Sequence, residues 1–469
     1  MKAGRTTMRA WASAAAFLLL AAIGSPLQAS TAAESRVQLK LDVSGDLFGP
    51  AGRDAQTDRQ PIEVAARFDF RETPAPADAA DAAAVVTRTY FEATAEIRVD
   101  GQQSVTSLPA DARRLAVALL GTTPSPFLPD AFLSRGEFDL LETPFDPLLL
   151  DQLVTREAVA VDDTWRIPAD AAAGLLAIDT IETGELEAKL VAVADGVAQV
   201  ALAGVIDGAA DGVPTHVIVE GTFTTAARGE NERYTLDAGV ASVSGLLRER
   251  RQASHVAPGF EVEARLELKR SPADDETAAA ADEPADPPTA MPRRRGAGRP
   301  GVLWHRDPAG RYDLVHDARW RTVEENDEGV VMRLVDHGAL VAQCSIAALP
   351  RANADVTPGI AEMRRDIERS LAGQLGRIEE ATESTRDGAD GDGLKIIRVA
   401  SSGTAEGLPF HWIHYVVADA EGRRASVTFM LEASMRKRFD AADRALIEGF
   451  EFVPLTAKEA RLPRKTSVP

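Results

Sequence analysis

The amino-acid sequence predicts an α+β protein: a mostly antiparallel β domain, forming a curved meander or half-barrel with a helical and Pro-rich insert, followed by a second domain that mixes strands with helices. Three observations predict it. Apolar residues recur at every second position in the first half, as in Val37, Leu39, Leu41 and Val43 and in Ile62, Val64, Ala66, Phe68 and Phe70, which is the period of half-buried strands. From Ser271 to Gly301 the chain is rich in Pro, Ala and acids with almost no large apolar side chain, too few to offset the ordering of the backbone. Beyond that break, strand-like runs are joined by two amphipathic helical stretches. The chain has 469 residues, room for two or three domains.

The elements follow in order. Met1 to Arg9 carries three cations, Trp11 to Gly24 is apolar or small, and Ser25-Pro26-Leu27-Gln28-Ala29 ends on a small residue. This reads as a signal peptide over residues 1–29, cut after Ala29. The apolar run falls short of the ~20 residues that span a bilayer, and no cysteine follows it to carry a lipid. No later run reaches the ~18 apolar residues of a second span, so the mature chain is expected outside the cytoplasm, in the periplasm or secreted, with no membrane span. The β-rich domain then covers residues 30–271, with further strands at Phe91 to Val99, Leu186 to Val193, Val197 to Ile206, His216 to Thr225, Val240 to Leu247 and Phe260 to Leu268. Between them, Pro109 to Leu120 suits a short helix, and Phe127 to Val154 mixes prolines with large apolar groups, an insert expected to cover one sheet face.

Residues 272–300 form a disordered linker in which Arg293-Arg294-Arg295 are solvated. Gly296 to Gly301 spells G-x-G-x-x-G, but no strand precedes it and no helix follows, so it is a chance match to the dinucleotide fingerprint. The second domain, residues 301–455, has strands at Val330 to Val335, Ala339 to Ala348, Leu394 to Ser401, Pro409 to Val417 and Ala425 to Leu431. A helix capped by Thr357 and opened by Pro358 runs to about Leu375 with Ile360, Met363, Ile367, Leu371 and Leu375 on one stripe. Asp440 with Asp443 resembles a capping box for a last helix carrying Leu446, Ile447 and Phe450. Residues 456–469 form a disordered polar tail.

The order that starts with Gly310-Arg311-Tyr312-Asp313-Leu314-Val315-His316-Asp317-Ala318-Arg319-Trp320 resembles the opening of the PsbP-like α/β/α sandwich family. The resemblance continues through the hairpin from Val330 to Ile346, the helix 358–375, the strand with Phe410-His411-Trp412-Ile413-His414-Tyr415, the turn at Gly422, the strand 425–431 and the closing helix, roughly residues 310–453. It implies an extracytoplasmic, non-catalytic module that binds a protein partner, with no family-wide catalytic residue to carry over. The first half, with Asp162-Asp163-Thr164-Trp165-Arg166 before a β-meander, is similar to uncharacterised secreted bacterial proteins.

Composition excludes several classes. One cysteine, Cys344, excludes an internal disulfide and any Cys-rich metal site, and 52 basic against 72 acidic residues disfavours nucleic acid as a partner. His411 and His414 lie three apart on a strand and so face opposite ways, which leaves no shared metal. His305 and His316 flank Asp307, Asp313 and Asp317 in what reads as a solvated loop. Asp387 to Gly393 alternates acids and glycines like a calcium loop, but its twelfth position is Arg398 where an EF-hand has Glu. Cys344 alternates with Leu340, Ala342 and Ile346 and is expected in the core. Paired acids such as Asp162-Asp163 and Glu379-Glu380 identify no glycosidase by themselves, and no nucleophile-elbow, zinc-protease or phosphate-loop motif occurs.

The expected function is therefore a secreted or periplasmic non-catalytic protein that binds an envelope or extracellular partner through the PsbP-like module. No catalytic, cofactor-binding or metal-binding residue is assigned, and no cofactor. Two alternatives are a carrier, with a lipid-like or other apolar ligand between the N-terminal β-meander and the insert, and a hydrolase assembled from dispersed residues.

Overall fold

A computed structural model describes residues 34–49, 59–75, 84–210, 213–230, 232–254, 256–273, 293–336, 339–351, 359–386 and 393–454. The expected signal peptide, most of the linker, the Asp387 loop up to Asp392, the Thr357-Pro358 helix start and the polar tail lie outside the described residues. The chain divides into two compact units, essentially one up to Leu303 and one from Trp304.

Among the described residues of the first unit, thirteen strands run in chain order: β1 (Ser35–Phe48), β2 (Arg59–Pro74), β3 (Ala84–Val99), β4 (Gln102–Ser107), β5 (Arg114–Leu120), β6 (Thr123–Phe127), β7 (Leu133–Ser134), β8 (Thr164–Arg166), β9 (Thr180–Ala194), β10 (Val197–Ala210), β11 (Val213–Glu230), β12 (Arg233–Arg251) and β13 (Gly259–Pro272). All but β7 form one twelve-stranded sheet in the order β6-β5-β3-β2-β1-β13-β12-β11-β10-β9-β8, with β4 also on β3. The strands predicted from alternation all lie inside these longer ones. Pro109 to Leu120, expected as a helix, instead forms one 3₁₀ turn at Ala110–Ala112 and then β5. Pairing decides this: Leu115 to Ala118 zips antiparallel onto β3, with Val117 opposite Val86, and tertiary contact overrides local propensity.

One face of the sheet is apolar. Val37, Leu39, Leu41, Phe68, Phe70, Val243, Leu266 and Leu268 are all buried. The other face is charged and laced by cross-strand ion pairs, among them Arg36–Asp69 and Arg67–Asp42. Residues 128–178 fold as the insert over the apolar face, and Leu149, Leu150, Leu153 and Leu175 in it are 1% exposed or less. The insert contains a helix at Arg135–Leu141 with a capping box between Ser134 and Glu137, a 3₁₀ turn at Pro147–Leu153 and a helix at Ala169–Leu176.

The sheet has to curl around this insert. In a flat sheet the seven steps from β3 to β9 would cover ~34 Å at ~4.8 Å per step. The insert bridges them with far less: Asp146 binds Arg88 of β3, the neighbouring Phe145 N–H donates to the Leu175 carbonyl at 2.7 Å, and Ile167, just ahead of that helix, donates to Leu186 of β9 at 2.9 Å. The intervening helix of eight residues is only ~12 Å long. Glycine permits the bend. Gly184 has φ +90°, and a Cβ there would sit 2.0 Å from the Val205 carbonyl oxygen.

The end of the expected linker is ordered on this unit. Arg293 donates to Glu137 at 2.7 Å from both terminal nitrogens and to Asp111 at 3.0 Å, and Ala131 bridges Arg295. Arg293 is thus paired where the sequence reading had it solvated. The glycines of the G-x-G-x-x-G match serve packing: a Cβ on Gly298 would strike the carbonyl oxygens of Leu128 and Ala131.

The second unit contains β14 (Val302–Arg306), β15 (Tyr312–Asp317), β16 (Trp320–Glu325), β17 (Gly329–Asp336), β18 (Ala339–Leu349), β19 (Leu375–Arg386), β20 (Leu394–Ala405), β21 (Leu408–Ala418), β22 (Arg424–Glu432) and β23 (Phe450–Phe452). Seven of them make an antiparallel sheet in the order β16-β17-β18-β22-β21-β20-β19. The helix Ile360–Leu371 lays Met363 and Ile367 on Ile397 and Val399 on one face. Leu375, expected on the helix stripe, opens β19.

The expectation of an α+β protein with a C-terminal α/β/α sandwich is corrected here, because 64% of the described residues are in strands and 15% are helical. The second face of the seven-stranded sheet is covered largely by strands. Tyr312 and Leu314 of β15 and Phe450 and Phe452 of β23 pack there with Trp320, Phe429 and Phe439, and the closing helix, Ala442–Glu448, has only seven residues. The Asp440–Asp443 capping box is absent as well. Ala441 is the N-cap without a side-chain bond, while Asp443 turns inward and accepts from Tyr415 at 2.7 Å and Arg398 at 2.9 Å.

Gly184→Ala puts a Cβ into the β10 backbone at a φ that L-residues avoid. It is expected to lower stability by about 2 kcal/mol, read as a lower urea midpoint with an unchanged slope.

Candidate functional site

The inner face of the first unit carries charges among its hydrocarbons. On β2, Glu72 continues the inward phase of Phe68 and Phe70; on β13, Arg270 continues that of Leu266 and Leu268; on β3, Arg88 shares its face with Val86 and Tyr90. Register brings them together. Glu72 lies directly opposite Arg88, and Val37 of β1 lies opposite both Phe70 and Arg270.

The insert supplies the remaining partners. Asp146 takes a bidentate bond from Arg88, at 2.6 and 2.8 Å, and caps the 3₁₀ turn by accepting from Leu148 N at 3.0 Å. Arg88 Nε donates to Glu72 at 2.9 Å, Arg270 reaches the other oxygen of Glu72 at 3.2 Å, and Asp151 Oδ1 lies 3.7 Å from Arg270. Arg88 also lies over the Phe70 ring, 5.0 Å from its centroid. Side-chain exposure is 3% for Arg88, 2% for Glu72 and 6% for Asp146. Next to the cluster the backbone is strained: Phe145 holds φ +54°, a region that non-glycine residues rarely adopt.

Two cations face three carboxylates, so the cluster carries one negative charge too many for a buried site. Burial alone would push the Arg88 guanidinium down, but Asp146 and Glu72 outweigh it and hold it well above its usual range. Asp151 takes the excess. Burial pushes its carboxyl up to about 6, with Glu72 adding to the effect and Arg270 opposing it. A small cleft opens beside Arg88 and Asp146, lined also by Thr123, Glu142, Thr143 and Gly174, and it holds about 30 Å³, room for a water or two.

The positions weighed from sequence are dispersed. His411 and His414 lie on opposite faces of β21: His414 Nδ1 contacts Thr428 Oγ1 at 3.2 Å, while His411 Nδ1 is 3.8 Å from Glu379. Asp307, Asp313 and Asp317 each pair with an arginine, Arg311, Arg306 and Arg319 respectively, and His316 Nδ1 contacts the Asp317 carbonyl at 2.8 Å. Among the described residues no group of three His, Cys, Asp or Glu side chains is placed to hold a metal. Cys344 is buried and its thiol is pushed up by desolvation. Asp163 accepts from Ala160 N at 2.8 Å, Asp162 pairs with Lys189, and Glu380 with Arg398. The buried cluster was not among the sequence candidates, although the in-phase charges at Glu72 and Arg270 were a signal for it.

No family model matches the chain, and no curated protein does. Among solved structures it is similar to the outer membrane protein OprD from Pseudomonas aeruginosa, at 8% identity over 88% of this chain and 97% of that one, with a TM-score of 0.13. A triple mutant of the Rh. blastica porin is similar at 8% identity over 84% of this chain and 99% of that one, TM-score 0.12. Likeness at these scores carries no argument about this chain. Its own residues do: the outward sheet face presents Lys40, Asp42, Glu63, Arg67, Glu96 and Arg98, where a membrane barrel carries an apolar band. No helix among the described residues is long and apolar enough to cross a membrane.

Removing one partner of a buried ion pair strands the other. Arg88→Ala is therefore expected to cost about 3–5 kcal/mol in denaturant unfolding, and Asp146→Asn distinctly less. A pH response follows too. A carboxyl that prefers its proton in the folded state weakens the fold as pH rises, here between about 4 and about 6. His305 and His414, both lowered by burial to about 4, act oppositely, and the second unit loses about 2 kcal/mol for each by about pH 5. Hydrogen exchange from about pH 7 to 5, corrected for intrinsic rates, should show residues 144–154 gaining protection and β21 losing it, with Asp151→Asn abolishing the gain. A parallel response in both units would refute this assignment.

Proposed function

We propose that the protein is a non-catalytic extracytoplasmic binding protein and that its first unit carries an elongated apolar ligand. One observation carries the reading: the apolar face of a twelve-stranded sheet is covered by a single contiguous insert, anchored to β2, β3 and β13 through the ionic cluster. A ligand that occupied the space of Leu148, Leu149, Leu150 and Leu153 would replace their contacts one for one. The cleft of about 30 Å³ is far below the ~300 Å³ of a ligand pocket, so binding requires the insert to withdraw. The ligand then supplies the differential affinity that favours the open state. The leader-type N-terminus supports the extracytoplasmic location, and the open sheet with its charged outer face argues for a carrier in water over a channel in a membrane.

A second reading takes the C-terminal unit as a partner-binding module. It is favoured by an apolar strip on one face of β21 and β22, where Leu408 is 50% and Met430 37% exposed beside the stacked Phe410 and Trp412.

Native mass spectrometry of the full chain purified without detergent, followed by organic extraction, separates the two. The carrier reading expects a one-to-one apolar adduct that disappears on extraction. A bare chain that also takes up no added hexadecanoate would reject it, and co-purification of a protein retained by wild type and lost in Met430→Asp would support the second reading.

A further inference from the structure

Resting on the carrier reading, we propose that Arg88 and Arg270 form the receptor for the acidic head group of an amphiphilic ligand, and that Asp146 and Asp151 of the insert occupy that receptor in the closed state. The geometry is that of a site already filled. Arg88 stacks on Phe70 and turns both terminal nitrogens to one carboxylate, at 2.6 and 2.8 Å, the fork-to-fork contact by which a guanidinium binds a free carboxylate. That carboxylate belongs to the insert, whereas both arginines and Glu72 belong to the sheet.

Withdrawal of the insert removes two negative charges and leaves Arg88, Arg270 and Glu72 on the wall, with a net charge of one positive. The exposed site then requires one anion. Its surroundings specify the rest of the ligand, because Phe68, Phe70, Val37, Leu266 and Leu268 continue from the cluster along the inner face. A single acidic head with a hydrocarbon tail satisfies both. A neutral amphiphile would leave Arg88 buried beside one carboxylate only, and a cationic one would meet like charge. Asp146 and the ligand head compete for the same nitrogens, so opening of the insert and capture of the head are one exchange.

The test compares hexadecanoate with hexadecanamide, which share the tail and differ in charge, binding to the full chain by isothermal titration. Hexadecanoate is expected to bind at least about tenfold more tightly, and Asp146→Asn, which weakens the internal competitor while keeping its shape, to tighten both ligands by a similar factor, because either one requires the insert to withdraw, and so to preserve the preference for the acid. In the double variant Arg88→Gln with Asp146→Asn, which keeps the net charge, the two affinities should converge to within about twofold. Circular dichroism confirms that each variant is folded, and the single Asp146→Asn comparison decides the question if the double variant is not. Equal binding of acid and amide by both wild type and Asp146→Asn would overturn the head-group assignment while leaving the carrier reading in place. Failure of both ligands to bind the wild-type chain and every variant would overturn both.

Discussion

The anchoring of the insert by buried charge is the interaction on which the first unit depends. A single-layer sheet with one apolar face has no stability until that face is covered, and here the cover is a contiguous stretch of chain. Its leucines supply the burial but little direction, since aliphatic packing tolerates many arrangements of similar volume. Direction comes from Asp146, whose two oxygens bind Arg88 while one of them also caps the turn that presents Leu148 to Leu153. Displacing the insert by an ångström would leave buried charges unpaired, a penalty that sloppy hydrocarbon contacts do not impose.

Much of this fold is legible in the sequence where the environment is periodic. Val37 to Val43 and Phe260 to Leu268 read as strands because one face meets hydrocarbon and the other water. The same periodicity misleads where pairing is non-local: Pro109 to Leu120 has helix-like composition, yet β3 offers its Leu115 to Ala118 a strand to join. In the second unit the sequence pattern led to a helical layer over each sheet face, but Tyr312 and Phe450 meet as paired strands across more than a hundred residues of chain. Asp443 looked like a cap because its spacing from Asp440 suited one; Arg398 and Tyr415, brought close only by folding, claim it instead. The candidate site is half legible. Glu72 and Arg270 announce themselves as charges in an inward phase, whereas Asp146 and Asp151 lie in an aperiodic insert and gain meaning only from the partners they meet.

Arginine is used throughout as a fastener between segments distant in sequence. Arg293 ties the end of the linker to Asp111 and Glu137 in the first unit. In the second, Arg386 donates to the carbonyls of Ile447, Glu448 and Phe450, and Arg423 to that of Val453, which holds the closing helix and β23 in place. With only 5% aromatic residues, the chain has few large side chains to lock such junctions. A guanidinium with five donors in a rigid plane fixes several carbonyls or carboxylates at once, which an ammonium does not.

The same property makes the Arg88 junction different from the others. Arg386 and Arg423 bind backbone carbonyls that belong to the strands and helix they hold, so those bonds part only when the unit unfolds. Arg88 binds a carboxylate on a segment that contributes no long strand to the sheet, and a free anion offers the same two oxygens. An apolar anchor would yield to any hydrocarbon of suitable size. An ionic one yields only to a competitor that also neutralises the charge left behind, because an arginine stripped of its partner in that environment costs several kcal/mol. Closure by charge thus couples opening of the insert to the chemistry of what opens it.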